Sequence, residues 1–278
     1  MTKICLTIAG VDPSGGAGII ADIKTFSAFG CYAAAAIASL TFQNTQGVFG
    51  VENQTAETVR RQIEPILADF EVDALKTGML PTREIIEEVA RIVKENNLKN
   101  FVVDPVVRST SGFDLIDDEA LKVLIERLFL LSDIITPNIP EAGRIARMKI
   151  ETFADIETAA RKMQALGAKN VLIKGGHLPI LDLEKKAKDQ KPKTEDRKAK
   201  DFLFIGDELH VFEADFIETT ATHGTGCTLA AAIAANLALG KSLTEAVEIA
   251  KKFVTEAIRS APHIGKGNSP INQLIARV

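Results

Sequence analysis

Three features of the sequence predict one α/β domain built on a parallel sheet. Short apolar runs of strand length alternate with longer segments of helical period along the whole chain. Several of those runs feed straight into glycine-rich or polar turns, where the strands of an α/β sheet deliver ligand-binding residues. The third feature is Thr222-His223-Gly224-Thr225-Gly226-Cys227-Thr228, which opens onto an alanine-rich run at residues 229–237. Its glycines let the backbone come close to a ligand. The first amides of a helix have no partner inside it, so such a turn is an anion site. The thiol of Cys227 falls where that helix begins, and the positive helix end is expected to favour thiolate near neutral pH. A tight turn before a buried helix, with Cys227 as a small core residue, accounts for the same residues.

The bulk composition narrows the function classes. A chain of 278 residues suffices for one large α/β domain or two small ones, and 46% hydrophobic with 25% charged residues is ordinary for a globular core. The net charge of −4 argues against nucleic-acid binding. Tryptophan is absent and Tyr32 is the single tyrosine, so base-stacking platforms are poorly supplied. Cys5, Cys31 and Cys227 are widely spaced and odd in number, which excludes a disulfide framework and fits a reducing cytosol. Residues 4–9 are too short an apolar run for a signal peptide, and Asp12 interrupts it. No stretch is long and apolar enough to span a membrane.

In order, residues 3–9 read as a buried strand feeding Gly10-Val11-Asp12-Pro13-Ser14-Gly15-Gly16-Ala17-Gly18. A helical pattern follows through Ile19, Ile20, Ile23, Phe26 and Phe29, closed by Gly30. The loop is not G-x-G-x-x-G, no acidic residue follows at the expected distance of about 20 residues, and no Gly-Lys-Ser/Thr is present, so neither a dinucleotide fingerprint nor a Walker loop fits. Residues 32–40 are the next strand, and Thr41-Phe42-Gln43-Asn44-Thr45-Gln46-Gly47 is expected to leave the sheet as a polar loop. Residues 55–67 are helical, 74–80 a strand and turn, 82–95 an amphipathic helix, and 100–103 a strand ending at Asp104-Pro105. A carboxylate there suits a ligand site or a turn cap. Residues 119–131 are helical and 133–136 a strand, followed by Pro137-Asn138-Ile139-Pro140-Glu141, which puts Glu141 near the start of the next helix. Residues 154–166 form another helix, and 170–173 a strand closing with Lys174-Gly175-Gly176-His177. Residues 183–200 break the rhythm as a flexible, solvated insertion of mixed charge. A hairpin about Gly206-Asp207 and helices at 229–239 and 243–260 complete a single domain over 1–278.

The loop at 9–18, Gln43-Asn44-Thr45, Thr77-Gly78-Met79-Leu80, Val103-Asp104-Pro105-Val106, Thr136 to Glu141, Lys174 to His177 and Thr222 to Thr228 occur in one fixed order. Taken together they resemble the hydroxymethylpyrimidine/phosphomethylpyrimidine kinases of thiamine biosynthesis, within the ribokinase-like superfamily. The resemblance spans nearly the whole chain except the charged insertion. It implies a three-layer α/β/α sandwich with a mainly parallel sheet. It also implies ATP as phosphoryl donor with Mg²⁺, room for a monovalent cation, and a cytoplasmic homodimer that takes a small pyrimidine and binds neither nucleic acid nor membrane.

Residue by residue, Gln43 is similar to the family glutamine that hydrogen-bonds the aminopyrimidine, and Met79 to a residue lining that pocket, with Gly10, Asp12 and Val106 beside them. Asn138 and Glu141 match the superfamily Asn-x-x-Glu that manages Mg²⁺ and phosphate, with Asp104 as the second carboxylate. Lys174 resembles a lysine that meets nucleotide phosphates, and Lys251 stands where the family has a nucleotide-side lysine. Gly224, Thr225, Gly226 and Cys227 match the catalytic anion hole, Thr225 serving the nucleotide as well. After Val106 the family commonly continues Met-Val-Ala-Lys-Ser-Gly. Here the chain has Val107-Arg108-Ser109-Thr110-Ser111-Gly112, a segment expected to cover the site. Before the glycine turn, Thr220-Ala221 replaces the commoner Lys-Asn. The implied activity is phosphorylation of the hydroxymethylpyrimidine and then of its monophosphate. Cys227 is expected to serve the first step as base, since its acceptor is a neutral alcohol, more than the second, whose acceptor is already anionic. A pyridoxal kinase on the same scaffold is the rival, made less favourable by the absence of cysteine from residues 107–112. A non-catalytic pyrimidine-binding protein is the reading from another class.

Overall fold

The computed structural model describes residues 1–107, 115–176 and 197–275. The first half runs β1 (Ile4–Val11), α1 (Gly18–Ala28), β2 (Tyr32–Asn44), β3 (Gly47–Asn53), α2 (Ala56–Asp69), β4 (Ala74–Thr77), α3 (Arg83–Glu95) and β5 (Phe101–Val103). The second half runs α4 (Asp118–Leu128), β6 (Ile134–Ile135), α5 (Ile139–Ala146), α6 (Phe153–Ala165), β7 (Asn170–Lys174), β8 (Lys198–Ile205), β9 (Glu208–Asp215), α7 (Thr225–Ala238) and α8 (Leu243–Arg259).

Among the described residues the strands form one sheet in the order β3-β2-β1-β4-β5-β6-β7-β8-β9. The six from β2 to β7 in that order are parallel, and β3, β8 and β9 are antiparallel additions at the edges. The sheet is mainly parallel, as expected. The central strands are covered on both faces, which is why they read as continuous apolar runs rather than alternating ones. Leu6, Ile8 and Leu75 face a core built with α2 to α6. Cys5, Ala74 and Leu172 face a second core built with α1, α7 and α8. The result is the three-layer α/β/α sandwich. Helix α7 packs against α1, α8, β4 and β5, so it is buried nearly all round, as its apolar composition demands.

Three expectations need correction. Residues 41–44 do not leave the sheet, because β2 continues to Asn44 and pairs antiparallel with β3, which the sequence reading missed. The segment alternates buried Thr41, exposed Phe42 and half-buried Gln43, a pattern that an antiparallel edge accepts and a buried parallel strand does not. The second concerns residues 183–200. Their last three belong to β8, where Lys198 pairs with Asp215 at 2.7 Å and Lys200 with Glu213 at 2.8 Å across the hairpin. Residues 183–196 lie outside the described residues. Helix α7 also begins earlier than expected, at Thr225, with Gly224 in the left-handed region (φ +86°) as its N-cap.

Candidate active site

The C-terminal ends of β1, β4, β5 and β7 and the start of α7 converge on a cavity of about 490 Å³. That size suits a small ligand site. Gly10, Asp12, Gln43, Met79, Asp104, Val106, Asn138, Glu141, Lys174, Lys251 and residues 224–227 all line it. The structure therefore brings these residues together, although their side chains are not all free for a ligand.

Asp12 is the clearest case. Its carboxylate accepts from the Ser14 amide (2.8 Å) and hydroxyl (2.7 Å), from the Ala17 amide (2.9 Å) and from His223 Nε2 (2.7 Å). A carboxylate has about four lone-pair sites, and all are taken. Burial pushes this carboxyl up, but the bonds from His223 and Ser14 more than offset it and hold it below the usual range. Asp12 thus ties the glycine loop to the turn before α7. The two interlock closely. A Cβ on Gly16 would lie 2.4 Å from His223 Cδ2, and one on Gly224 would lie 1.8 Å from the Gly16 carbonyl oxygen. Gln273 Nε2 donates to that same carbonyl at 3.0 Å.

No side chain caps α7, and its start faces the cavity. Against it sits an ion pair. Lys174 Nζ donates to Asp104 Oδ1 at 2.8 Å, which also accepts from Thr136 Oγ1 at 3.0 Å. A Cβ on Gly226 would be 3.2 Å from Lys174 Nζ. The glycine therefore lets the helix start and the ammonium share one space. Asn138 and Glu141 form a capping box at the start of α5, with Glu141 N donating to Asn138 Oδ1 (2.9 Å) and Asn138 N to Glu141 Oε2 (2.8 Å). Burial alone would pull the Lys174 ammonium down, but Asp104 and Glu141 hold it above its ordinary value.

Burial pushes Glu141 up to about 7, against the pull of Lys174 and with the help of Asp104. This has a testable sign. A carboxyl raised in the fold binds protons that the unfolded chain has released, so stability falls as pH rises from 4.5 to about 7. Glu141→Gln keeps an oxygen for the Asn138 amide and removes the buried charge. It is expected to melt with the parent near pH 5 and several degrees above it at pH 8, read by calorimetry without ligands.

The thiol of Cys227 does not behave as the helix end alone suggests. Burial pushes it up to about 11, and the nearby Lys76 charge and a bond from the Gly18 amide only partly oppose this. At neutral pH it is a thiol, because desolvation outweighs the helix end. Lys76 is fully buried with Asp22, at 2.8 and 3.0 Å from its carboxylate oxygens, and Thr7 Oγ1 donates to Asp22 at 2.6 Å. Burial would lower the Lys76 ammonium, but the Asp22 carboxylate raises it above the ordinary range. Lys251 lines the cavity with its ammonium engaged by Asp201 at 2.7 Å, and Asp201 also accepts from the Gly175 amide at 3.0 Å. That pair fixes the turn after Lys174 and leaves Lys251 less available to a phosphate than the sequence suggests.

Gly10, Gln43, Met79 and Val106 line the same cavity. A Cβ on Gly10 would lie 2.8 Å from Ser39 Oγ and 3.3 Å from Met79 Sδ, so glycine keeps this floor low. Arg108 and Thr110, expected to cover the site, lie outside the described residues.

The model of the family described as phosphomethylpyrimidine kinase matches residues 12–272. The chain belongs to that family. It is 43% identical over 267 residues to the hydroxymethylpyrimidine/phosphomethylpyrimidine kinase of Bacillus subtilis, covering 96% of this chain and 93% of that one. It is 42% identical over 271 residues to the thiamine biosynthesis bifunctional protein ThiED of Geobacter sulfurreducens, covering 98% of this chain and 52% of that protein. The chain thus spans about half the length of that bifunctional relative. Among solved structures, the ADP complex of Bacillus subtilis pyridoxal kinase superposes with a TM-score of 0.84 at 38% identity, covering 98% of each chain. The phosphomethylpyrimidine kinase family comprises phosphotransferases, and the fold here is that of the ribokinase-like kinases.

Sequence reasoning missed His223, Lys76 and Asp22 as parts of the site's frame. Asp22 was readable. It lies three residues after Ile19 and four before Phe26, on the apolar stripe of α1, and a charge there needs a buried partner. Lys76 was the candidate, as the charged residue in an otherwise buried strand.

Proposed function

We propose that the chain transfers the terminal phosphoryl group of ATP to 4-amino-5-hydroxymethyl-2-methylpyrimidine, and then to the monophosphate so formed, giving the diphosphate. The observation that carries this reading is a single cavity whose lining includes two chemically distinct groups of residues. One group has the uncapped start of α7 beside Lys174 and Asp104, which suits phosphate. The other has Gln43 and Met79 over the Gly10 floor, which suits a small heteroaromatic ring. In the first step the hydroxymethyl oxygen loses its proton and bonds to phosphorus, and the bond from phosphorus to the bridging oxygen of ADP breaks. The amides at residues 225–227 and the Lys174 charge stabilise the transferring group, and the thiolate form of Cys227 takes the proton. In the second step the acceptor is an anionic phosphate oxygen, which needs no base.

The donor set fits a magnesium ion. Among the described residues no three acidic, histidine or cysteine side chains cluster, but Asp104 and Glu141 offer hard oxygens side by side. Mg²⁺ needs only one or two protein carboxylates and keeps its waters or phosphate oxygens. Bound by those two residues near Asn138, it would neutralise phosphate charge. A homodimer and a cytoplasmic location belong to the same proposal. Phe42 and Phe49, exposed on the edge hairpin, support a second copy there, and the mass in solution checks it. Among the described residues no helix is long and apolar enough to cross a membrane.

The likeness to a pyridoxal kinase structure favours a second reading, in which the ring is pyridoxal. Product formation with Mg·ATP decides between them, with the hydroxymethylpyrimidine, its monophosphate and pyridoxal offered separately. Conversion of both pyrimidines with pyridoxal slow is the expected result, and a preference for pyridoxal would overturn it.

A further inference from the structure

Thr41 lines the cavity at the end of β2, and its hydroxyl oxygen lies 2.9 Å from the Val11 carbonyl oxygen and 2.7 Å from the side-chain carboxamide of Gln43. A threonine hydroxyl carries one proton, and a carbonyl oxygen can only accept. With the Gln43 oxygen turned toward Thr41, one proton faces two acceptors. Whichever takes it, the other is left as two lone pairs in contact in a partly buried place, which is costly. Turning the carboxamide over resolves the conflict. Gln43 Nε2 then donates to Thr41, Thr41 donates to Val11, and both contacts are hydrogen bonds. Amide nitrogen and oxygen are nearly the same size, so the network and not the shape fixes which way such a group points. The Val11 carbonyl belongs to the backbone and cannot turn.

We propose that Thr41 sets the polarity of the Gln43 carboxamide, so that Gln43 offers its oxygen to the cavity and selects a ring carrying an amino donor over one carrying an oxygen acceptor at that position. Thr41 acts through Gln43 and is a positioning residue. The inference rests on the pyrimidine reading above and deepens it. An exocyclic amine satisfies the presented oxygen, whereas an ether or phenolate oxygen there meets lone pairs and leaves a buried acceptor unpaired. Sites that hydrogen-bond a substrate group discriminate by this means.

The test compares 4-amino-5-hydroxymethyl-2-methylpyrimidine with its 4-methoxy analogue on the parent, Thr41→Val and Thr41→Ser enzymes, with melting temperature as a folding control. The parent is expected to prefer the amino ring. Thr41→Val frees the carboxamide, so KM for the amino ring rises about tenfold while kcat changes less than about twofold, and the preference between rings shrinks about tenfold. Thr41→Ser keeps the proton relay and behaves as the parent. In a Gln43→Leu background the Thr41→Val change has no further effect on the preference, because nothing remains to be oriented. Should Val not be tolerated, Thr41→Ala takes its place. An unchanged preference in Thr41→Val, an equal loss on both rings, or failure of Thr41→Ser to restore the parent overturns the proposal while the pyrimidine reading stands. A parent that converts neither ring, or prefers pyridoxal, overturns that reading and this proposal together, and is visible without any variant.

Discussion

Lys174→Met is expected to lower kcat/KM about 10²- to 10³-fold in both phosphorylation steps, the scale of losing one preorganised donor to a transferring group. Both steps move the same phosphoryl group past the same helix start, so both lose equally. The ammonium sits where a Cβ on Gly226 would be 3.2 Å away and is bound to Asp104 at 2.8 Å. A second consequence follows from the carboxylates left behind. Lys174 is what pulls Glu141 down toward about 7, against its burial. Without the lysine, Glu141 titrates higher and is protonated at neutral pH, so the residual activity is expected to rise between pH 7 and 9. Initial rates for each step at both pH values, with a melting curve to account for the unpaired Asp104, check this. A loss confined to one step, or smaller than about threefold, would show that Lys174 only holds Asp104 in place.

How much of this was legible in the sequence depends on which force set each feature. The parallel strands and their alternating helices were, because buried strands and amphipathic helices write their burial into the period of apolar residues, whereas the three-layer sandwich came only from the resemblance of the ordered motifs. Helix starts were legible where a cap declares them. Thr55, Thr82, Asp117, Asn138, Thr152 and Ser242 each accept the expected amide bond. The start of α7 was less so, because its cap is a glycine chosen for φ +86° and for clearance of Gly16, a contact between residues far apart in the chain. The edge strand β3 was missed because Gly47-Val48-Phe49-Gly50 has little apolar alternation, and its pairing is decided by β2 alongside it.

Within the site, position was legible and chemical state was not. Motif order placed Asp12, Lys174 and Lys251 on one cavity, yet nothing local says that His223 completes the saturation of Asp12, or that Lys251 is engaged by Asp201. Those bonds join residues 211 and 50 positions apart. The glutamine at 43 was visible, whereas the direction of its amide emerges only when Thr41 and Val11 are beside it.

Cys227→Ala is expected to slow the first phosphorylation about 10²-fold or more, within the usual range for a positioned base, and the second less than about threefold. The raised pKa of the half-buried thiol sharpens this. With its pKa near 11, only about one molecule in 10⁴ carries thiolate at pH 7. A buried thiolate is rarer than an exposed one but more basic, and an alcohol acceptor needs the stronger base. Lys76 keeps that thiolate reachable at all, since its charge is the largest influence opposing burial. The first step in the parent should therefore accelerate about tenfold per pH unit between 7 and 9 at saturating Mg·ATP, and Cys227→Ala should flatten that slope. The second step should show no such slope in either protein, because its acceptor is already anionic. A flat profile for both steps in the parent, or equal losses in both on substitution, would remove the base role and leave Cys227 as the small residue that packs the start of α7.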